Sequence, residues 1–255
     1  MGTNPFELTS RVALVTGAGR GIGRACALAL AQAGADVALV ARSRPELESV
    51  ADEIGRRGRK AFVRPQDVTR VEQLPGVMEE IASQLGAIDI LVNNAGMNIP
   101  QAALDVTPEV WDRIMDLNLR AAFFTAQAVG RVMVRQGRGG RIINLTSQTG
   151  SVGLLKRSAY CASKGALNLV TKVLALEWAP HNILVNAVAP TFIETEFTRG
   201  FLSDPSFREY ALSKNLLKRF GTPEDVTGAV VYLASAAASL VTGHILFVDA
   251  GWTAH

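Results

Sequence analysis

Short apolar runs recur along the chain, separated by longer stretches of helical period. The runs are "VALVT" (12–16), "DVALVA" (36–41), "KAFVRP" (60–65), "DILVN" (89–93), "GRIINLTS" (140–147), "ILVNAVA" (183–189) and "HILFVD" (244–249). They are rich in β-branched residues and lack clean alternation, as expected of strands covered on both faces of a parallel sheet. Helical patterns fill the gaps at about 21–33, 44–57, 71–85, 108–136, 158–179 and 223–236, and further short helical pieces are expected between Thr195 and Gly221. This alternation predicts βαβ units and an α/β fold: a Rossmann-type, doubly wound parallel sheet of about seven strands with helices on both faces. No linker, repeat or low-complexity segment interrupts the pattern, so residues 1–255 read as one domain.

Composition adds an assembly expectation. With 48% of residues apolar and 19% charged, the chain has more apolar surface than a monomer needs, which predicts a homo-oligomer, dimer or tetramer. The net charge of +3 is scattered, and the densest basic run, "GRRGRK" (55–60), falls at an expected helix end. No nucleic-acid partner is expected from that pattern. Cys26 and Cys161 lie in helical patterns without CxxC spacing, so neither a disulfide nor a metal site is expected. The stretch "MGTNPFELTS" has no apolar core or cleavage signature, and Phe6 stands where a myristoylation pattern wants Ser or Thr. With no apolar run long enough for a bilayer, the expectation is a cytoplasmic protein without a membrane partner.

Candidate chemistry starts at "TGAGRGIG" (16–23), between the first strand and the first helix. Gly17, Gly21 and Gly23 permit a sharp turn and close approach of a ligand, with the helix N-terminus facing an anion. At the end of the second strand, NAD sites carry an acid for the ribose 2′-hydroxyl. Here Ala41 and Arg42 stand instead. Arg42, with Arg20 as a second cation, suits a 2′-phosphate, so NADP(H) is expected over NAD(H).

"RSAYCASKGAL" (157–167) places Tyr160 and Lys164 one helical turn apart on one face. A phenol titrates near pH ~10, and proton exchange near neutrality needs a fall of roughly three units, about 4 kcal/mol. The ammonium is expected to supply part of that fall. Ser147 ends the fifth strand, on the sheet edge where such folds bind ligands, and can hold a substrate oxygen beside the phenol. "VNNAG" (92–96) ends the fourth strand on the same edge, and Asn118 is a polar residue in an apolar helical stretch.

In order and spacing these pieces, with "DVT" (67–69), "ILVNAVAPTFIET" (183–195) and "GHILFVDAG" (243–251), resemble the short-chain dehydrogenase/reductase family, short-subunit branch, over nearly the whole chain. The resemblance implies that Tyr160 donates the proton in carbonyl reduction, or accepts it in alcohol oxidation, while Ser147 polarises the substrate oxygen. It implies that Lys164 binds the nicotinamide ribose and lowers the tyrosine pKa, and that Asn118 orders a water linking Lys164 to solvent. Cofactor contacts are implied for Gly17, Arg20, Gly21, Ile22, Gly23, Arg42, Asp67, Val68, Asn93, Ala95, Gly96, Tyr160, Lys164, Pro190, Ile193 and Thr195. Two departures stand out: Pro190-Thr191 where the family has Pro-Gly, and Asp249-Ala250-Gly251 where it has Asp-Gly-Gly. Substrate choice falls to a loop at about 191–217 and to positions near 98, 149 and 154–157. The framework looks most like gluconate and polyol dehydrogenases, implying a sugar acid, keto-sugar or polyol. A 3-oxoacyl-thioester reductase and a non-catalytic nucleotide-binding regulator are the alternatives.

Overall fold

The computed structural model describes residues 4–254; Met1–Thr3 of the N-terminal stretch read above, and His255, lie outside the described residues. The seven strands are β1 (Val12–Thr16), β2 (Asp36–Ala41), β3 (Ala61–Pro65), β4 (Ile90–Asn93), β5 (Gly140–Leu145), β6 (Ile183–Pro190) and β7 (Ile245–Val248). All pair in parallel, in the order β3-β2-β1-β4-β5-β6-β7. From β1 the chain builds outwards to β3, then returns to build the other side from β4. Crossovers leaving β1 and β4 therefore diverge and open a crevice at their carboxyl ends, the topological switch point.

The helices are α1 (Gly21–Gln32), α2 (Arg44–Arg56), α3 (Leu74–Leu85), α4 (Pro108–Met115), α5 (Ala122–Gln136), α6 (Ser158–Trp178), α7 (Glu196–Leu202), α8 (Pro205–Lys214) and α9 (Pro223–Ala234). Strand residues sort by parity between two cores. Ala13, Val15, Val37 and Leu39 pack with α1, α2 and α9; Leu14, Ala38 and Val40 pack with α3 and α5. On the first face, Cys26, Ala27 and Leu30 of α1 share a core with Val226, Val230 and Leu233 of α9. A third, smaller core of Leu202, Ala211, Phe220 and Trp252 holds α7 and α8 over the crevice. The expected short helical pieces are these two, and Asp204 starts α8 by accepting the Ser206 and Phe207 N–H groups.

One helix differs from the periodicity. The pattern over 108–136 predicts a continuous helix, but residues Asp116–Ala121 form a π turn between α4 and α5. Widening the ladder to i→i+5 there turns Asn118 fully inward. Apolar periodicity continues on both sides, so the inserted residue leaves no mark in the pattern.

Both cysteines are free, and burial pushes the Cys26 thiol up to about 12. Arg59 of the basic run pairs with Asp36 at 2.8 Å. Among the described residues no helix is long and apolar enough to cross a membrane.

Candidate active site

The glycine turn lies at the carboxyl end of β1. Gly17 (φ 65°) and Gly21 (φ 54°) adopt left-handed backbone. At Gly23 a side chain has no room: a Cβ would stand 2.2 Å from the Gly17 carbonyl oxygen. The turn is thus folded onto its own helix, and Arg20, just before α1, provides no side-chain cap, with no acid in the first turn. Backbone N–H groups at such an end remain available to an anion. Asn94, a residue the sequence did not single out, braces the turn by donating to the Thr16 and Gly17 carbonyls at 3.0 and 3.3 Å. Ala95 is held beside it, its N–H donating to Thr16 Oγ1 at 3.1 Å.

Asn93 is turned inward: its amide donates to the Ala122 carbonyl at 2.7 Å and to Asn144 Oδ1 at 3.2 Å. Asn144 in turn donates to Thr171 Oγ1 of α6 at 2.9 Å. This buried chain ties β4 and β5 to the helix that carries Tyr160 and Lys164. Val68 likewise is a core residue, packed among Val40, Leu74 and Leu91. Burial raises the Asp67 carboxyl, but hydrogen bonds from Thr69 and the charges of Arg42 and Arg70 hold it below its ordinary value. Arg42 is exposed just past β2, without an ion-pair partner among the described residues. Arg20 is not free: it reaches across the crevice to Glu196 of α7 at 3.2 Å.

Ser147, Tyr160 and Lys164 converge past the end of β5. Gly150 makes the approach possible, since a Cβ there would sit 2.9 Å from the Lys164 carbonyl oxygen. The turn after Ser147 therefore presses directly on α6. Ser147 Oγ accepts from Thr149 N at 3.2 Å and from Thr149 Oγ1 at 3.0 Å. With both lone pairs engaged, the Ser147 proton is left to be donated. Lys164 Nζ donates to the Leu145 carbonyl at 2.7 Å and lies 5.8 Å from the Tyr160 ring centroid. Asn118 holds the Met97 backbone by two 2.8 Å bonds and donates to Ser163 Oγ at 3.1 Å. Gly96 separates it from the lysine: a Cβ on Gly96 would stand 3.4 Å from Asn118 Oδ1 and 3.6 Å from Lys164 Nζ.

The electrostatics correct one expectation. Burial pushes the Tyr160 phenol up to about 12, against hydrogen bonding by Ser147 and the pull of Arg157. Burial also lowers Lys164 to about 8. Desolvation outweighs the groups that favour phenolate, so the phenol stands above its ordinary value rather than below it.

A pocket joins these groups to the loop beyond β6. Ile22, Ser147, Tyr160, Pro190, Ile193 and Thr195 line it, and so do Asn98, Thr149, Leu154 and Arg157. Thr191 suits its place, with ordinary negative φ and its N–H donating to the Val248 carbonyl at 3.1 Å. Ala250 does occupy left-handed backbone, at φ 54°.

A family model described as "Enoyl-(Acyl carrier protein) reductase" matches residues 17–253. The chain is 37% identical to the 2-dehydro-3-deoxy-D-gluconate 5-dehydrogenase of Escherichia coli (strain K12), over 98% of each chain. It is 41% identical to the NAD-dependent glycerol dehydrogenase of Listeria innocua, covering 97% of this chain and 96% of the relative. Among solved structures, a gluconate 5-dehydrogenase from Burkholderia cenocepacia J2315 in complex with NADP and tartrate superposes with a TM-score of 0.95, at 36% identity and 98% coverage of each chain.

Proposed function

The chain belongs to the short-chain dehydrogenase/reductase family, oxidoreductases acting on alcohol and ketone groups, and from that premise we propose that it moves a hydride between NADP(H) and a sugar acid, keto-sugar or polyol. The observation that carries this reading is the convergence of Ser147, Tyr160 and Lys164 on the sheet edge that also bears the glycine turn. The residues present fit a dinucleotide: the cradle at Gly17 and Gly23 excludes side chains, and the first turn of α1 has no cap of its own. Gly17, Gly21, Ile22, Gly23, Ala95, Gly96, Pro190, Ile193 and Thr195 would hold it, with Asp67 and the backbone of Val68 and Asn93 on the adenosine side. The bound nicotinamide supplies or accepts the hydride.

The chain's own residues manage the proton. Ser147 donates to the substrate oxygen, because Thr149 occupies its acceptor positions. Tyr160 Oη passes its proton to that oxygen in reduction and recovers it in oxidation. Lys164, anchored on the Leu145 carbonyl, binds the nicotinamide ribose. Asn118 fixes Met97 against α6 and borders the small space at Gly96 through which a water serves Lys164.

NADP(H) is favoured by the unpaired Arg42 and by the lack of an acid at the end of β2. The NAD-dependent Listeria relative argues for testing that choice directly. The exposed apolar residues Leu169, Val173 and Leu176 on α6 support assembly into a dimer or tetramer. Two free cysteines are in keeping with a reducing, cytoplasmic setting. A 3-oxoacyl-thioester reductase is the second reading, favoured by the apolar lining of Leu154, Phe197 and Phe201. A panel of sugar acids, ketoses, polyols and a 3-oxoacyl thioester, each with NADPH/NADP and NADH/NAD and followed at the nicotinamide absorbance, tests the proposal. Turnover of the thioester alone, or of nothing, overturns it.

A further inference from the structure

We infer that Arg157 anchors a substrate carboxylate, so that the preferred substrates are hydroxy and keto acids rather than neutral polyols; this rests on the hydride-transfer reading above. Arg157 immediately precedes α6, three residues before Tyr160, and only 6% of it is exposed. Among the described residues that line the pocket it is the single one carrying a full charge. No carboxylate of the described chain pairs with it. The one hydrogen bond of its side chain runs from Nη1 to the neighbouring Lys156 carbonyl at 3.1 Å, and its Nε is buried without a partner.

A buried guanidinium is unfavourable unless an anion and hydrogen bonds compensate it. The rings of Phe201 and Phe207, 5.2 and 5.9 Å from its central carbon, cover its faces. Stacking engages the faces of the plane and leaves the edge, where the N–H groups lie, for a planar acceptor. A carboxylate matches that edge. Asn98 and Gln148, which line the same pocket, each carry a buried side-chain oxygen without a donor. Oxygens of this kind accept from hydroxyl groups. One cation and hydroxyl acceptors in one pocket describe a polyhydroxylated monoacid; a phosphate dianion would call for further donors, and the pocket lining holds no second cation.

The test compares 5-keto-D-gluconate with L-sorbose, which has the same carbon chain with CH2OH in place of the carboxylate, and with D-fructose 6-phosphate as the alternative anion. The unmodified enzyme is expected to prefer the keto acid in kcat/KM. Arg157→Gln should lower kcat/KM for the acid by about 10- to 100-fold more than for L-sorbose, with the extra loss in KM, while any loss shared by both substrates falls in kcat. Arg157→Lys keeps the charge and loses the fork, and should fall between. Calorimetric titration of D-gluconate into the same proteins reads the anchor without turnover and should weaken in parallel. Equal losses for acid and ketose would make Arg157 a stacking support for Phe201 and Phe207 and overturn the inference, as would a preference for L-sorbose or the phosphate. If Arg157→Gln does not fold, the unmodified enzyme's ranking and Arg157→Lys decide. Gluconate binding that depends on Arg157 without turnover of any carbonyl overturns hydride transfer and keeps the anion site. Turnover restricted to neutral substrates does the reverse.

Discussion

Tyr160 and Lys164 are both shifted by burial, in directions that keep each neutral for longer. For Lys164 the consequence for stability has a definite sign. Its folded pKa of about 8 lies below the ordinary 10.5, so below about 8 the folded protein carries a buried ammonium at a cost. Between about 8 and 10.5 the unfolded chain holds the extra proton, and this contribution to stability rises with pH. Lys164→Met is therefore expected to raise stability at pH 7 by about 1–3 kcal/mol while abolishing turnover, the gap closing towards pH 10, as read by thermal melts across pH. Tyr160→Phe removes the transferable proton alone; kcat should fall by about 10²–10⁴ while fluorescence titration shows cofactor binding retained. Cofactor choice belongs to the same scale. Ala41→Asp with Arg42→Leu adds repulsion and removes a charge-assisted contact, and should reverse the NADP(H)/NAD(H) ratio of kcat/KM from roughly tenfold or more in favour of NADP(H). An unmodified enzyme that already prefers NAD(H) makes Arg42 a surface residue. At this scale the candidate site is legible where chemistry imposes spacing: the glycines, Tyr160 with Lys164, and Ser147. Sequence alone marks positions near 98, 149 and 154–157 only as a neighbourhood, because the roles of Thr149 and Arg157 come from which polar atoms remain unpaired, a property of packing.

Strands and most helices follow from the apolar pattern because both sheet faces are buried, which forces near-continuous apolar runs. The π turn escapes because it alters the ladder, while the residues on each side keep their faces. A departure from the family at the end of β7 is visible in sequence, but its cost is visible only in the backbone. Ala250 at φ 54° lies in a region that disfavours a Cβ by about 1–2 kcal/mol, partly offset by glycine's greater loss of entropy on folding. Ala250→Gly should stabilise the protein by about 0.5–1 kcal/mol, a rise of about 1–3 °C in calorimetric Tm. An unchanged or lowered Tm removes the assignment of strain there.

Assembly is the property of the whole molecule that composition anticipates. On α6 the exposed Leu169, Val173 and Leu176 are spaced to share one face, opposite the one that meets the sheet. Light scattering at micromolar concentration should report a dimer or tetramer, and Val173→Glu should shift it to smaller species without loss of helicity. A monomeric unmodified protein ends this expectation. The packing of α1 against α9 has a further consequence, in time. The first helix ends at Gln32 and its flank is covered by a helix that begins at Pro223, roughly 190 residues later. At a synthesis rate of about 5–20 residues per second, that flank stays bare for about 10–40 s while the rest of the chain emerges. The side of α1 that α9 later covers is thus uncovered until late in synthesis, and there the newborn chain offers a holding chaperone an apolar foothold.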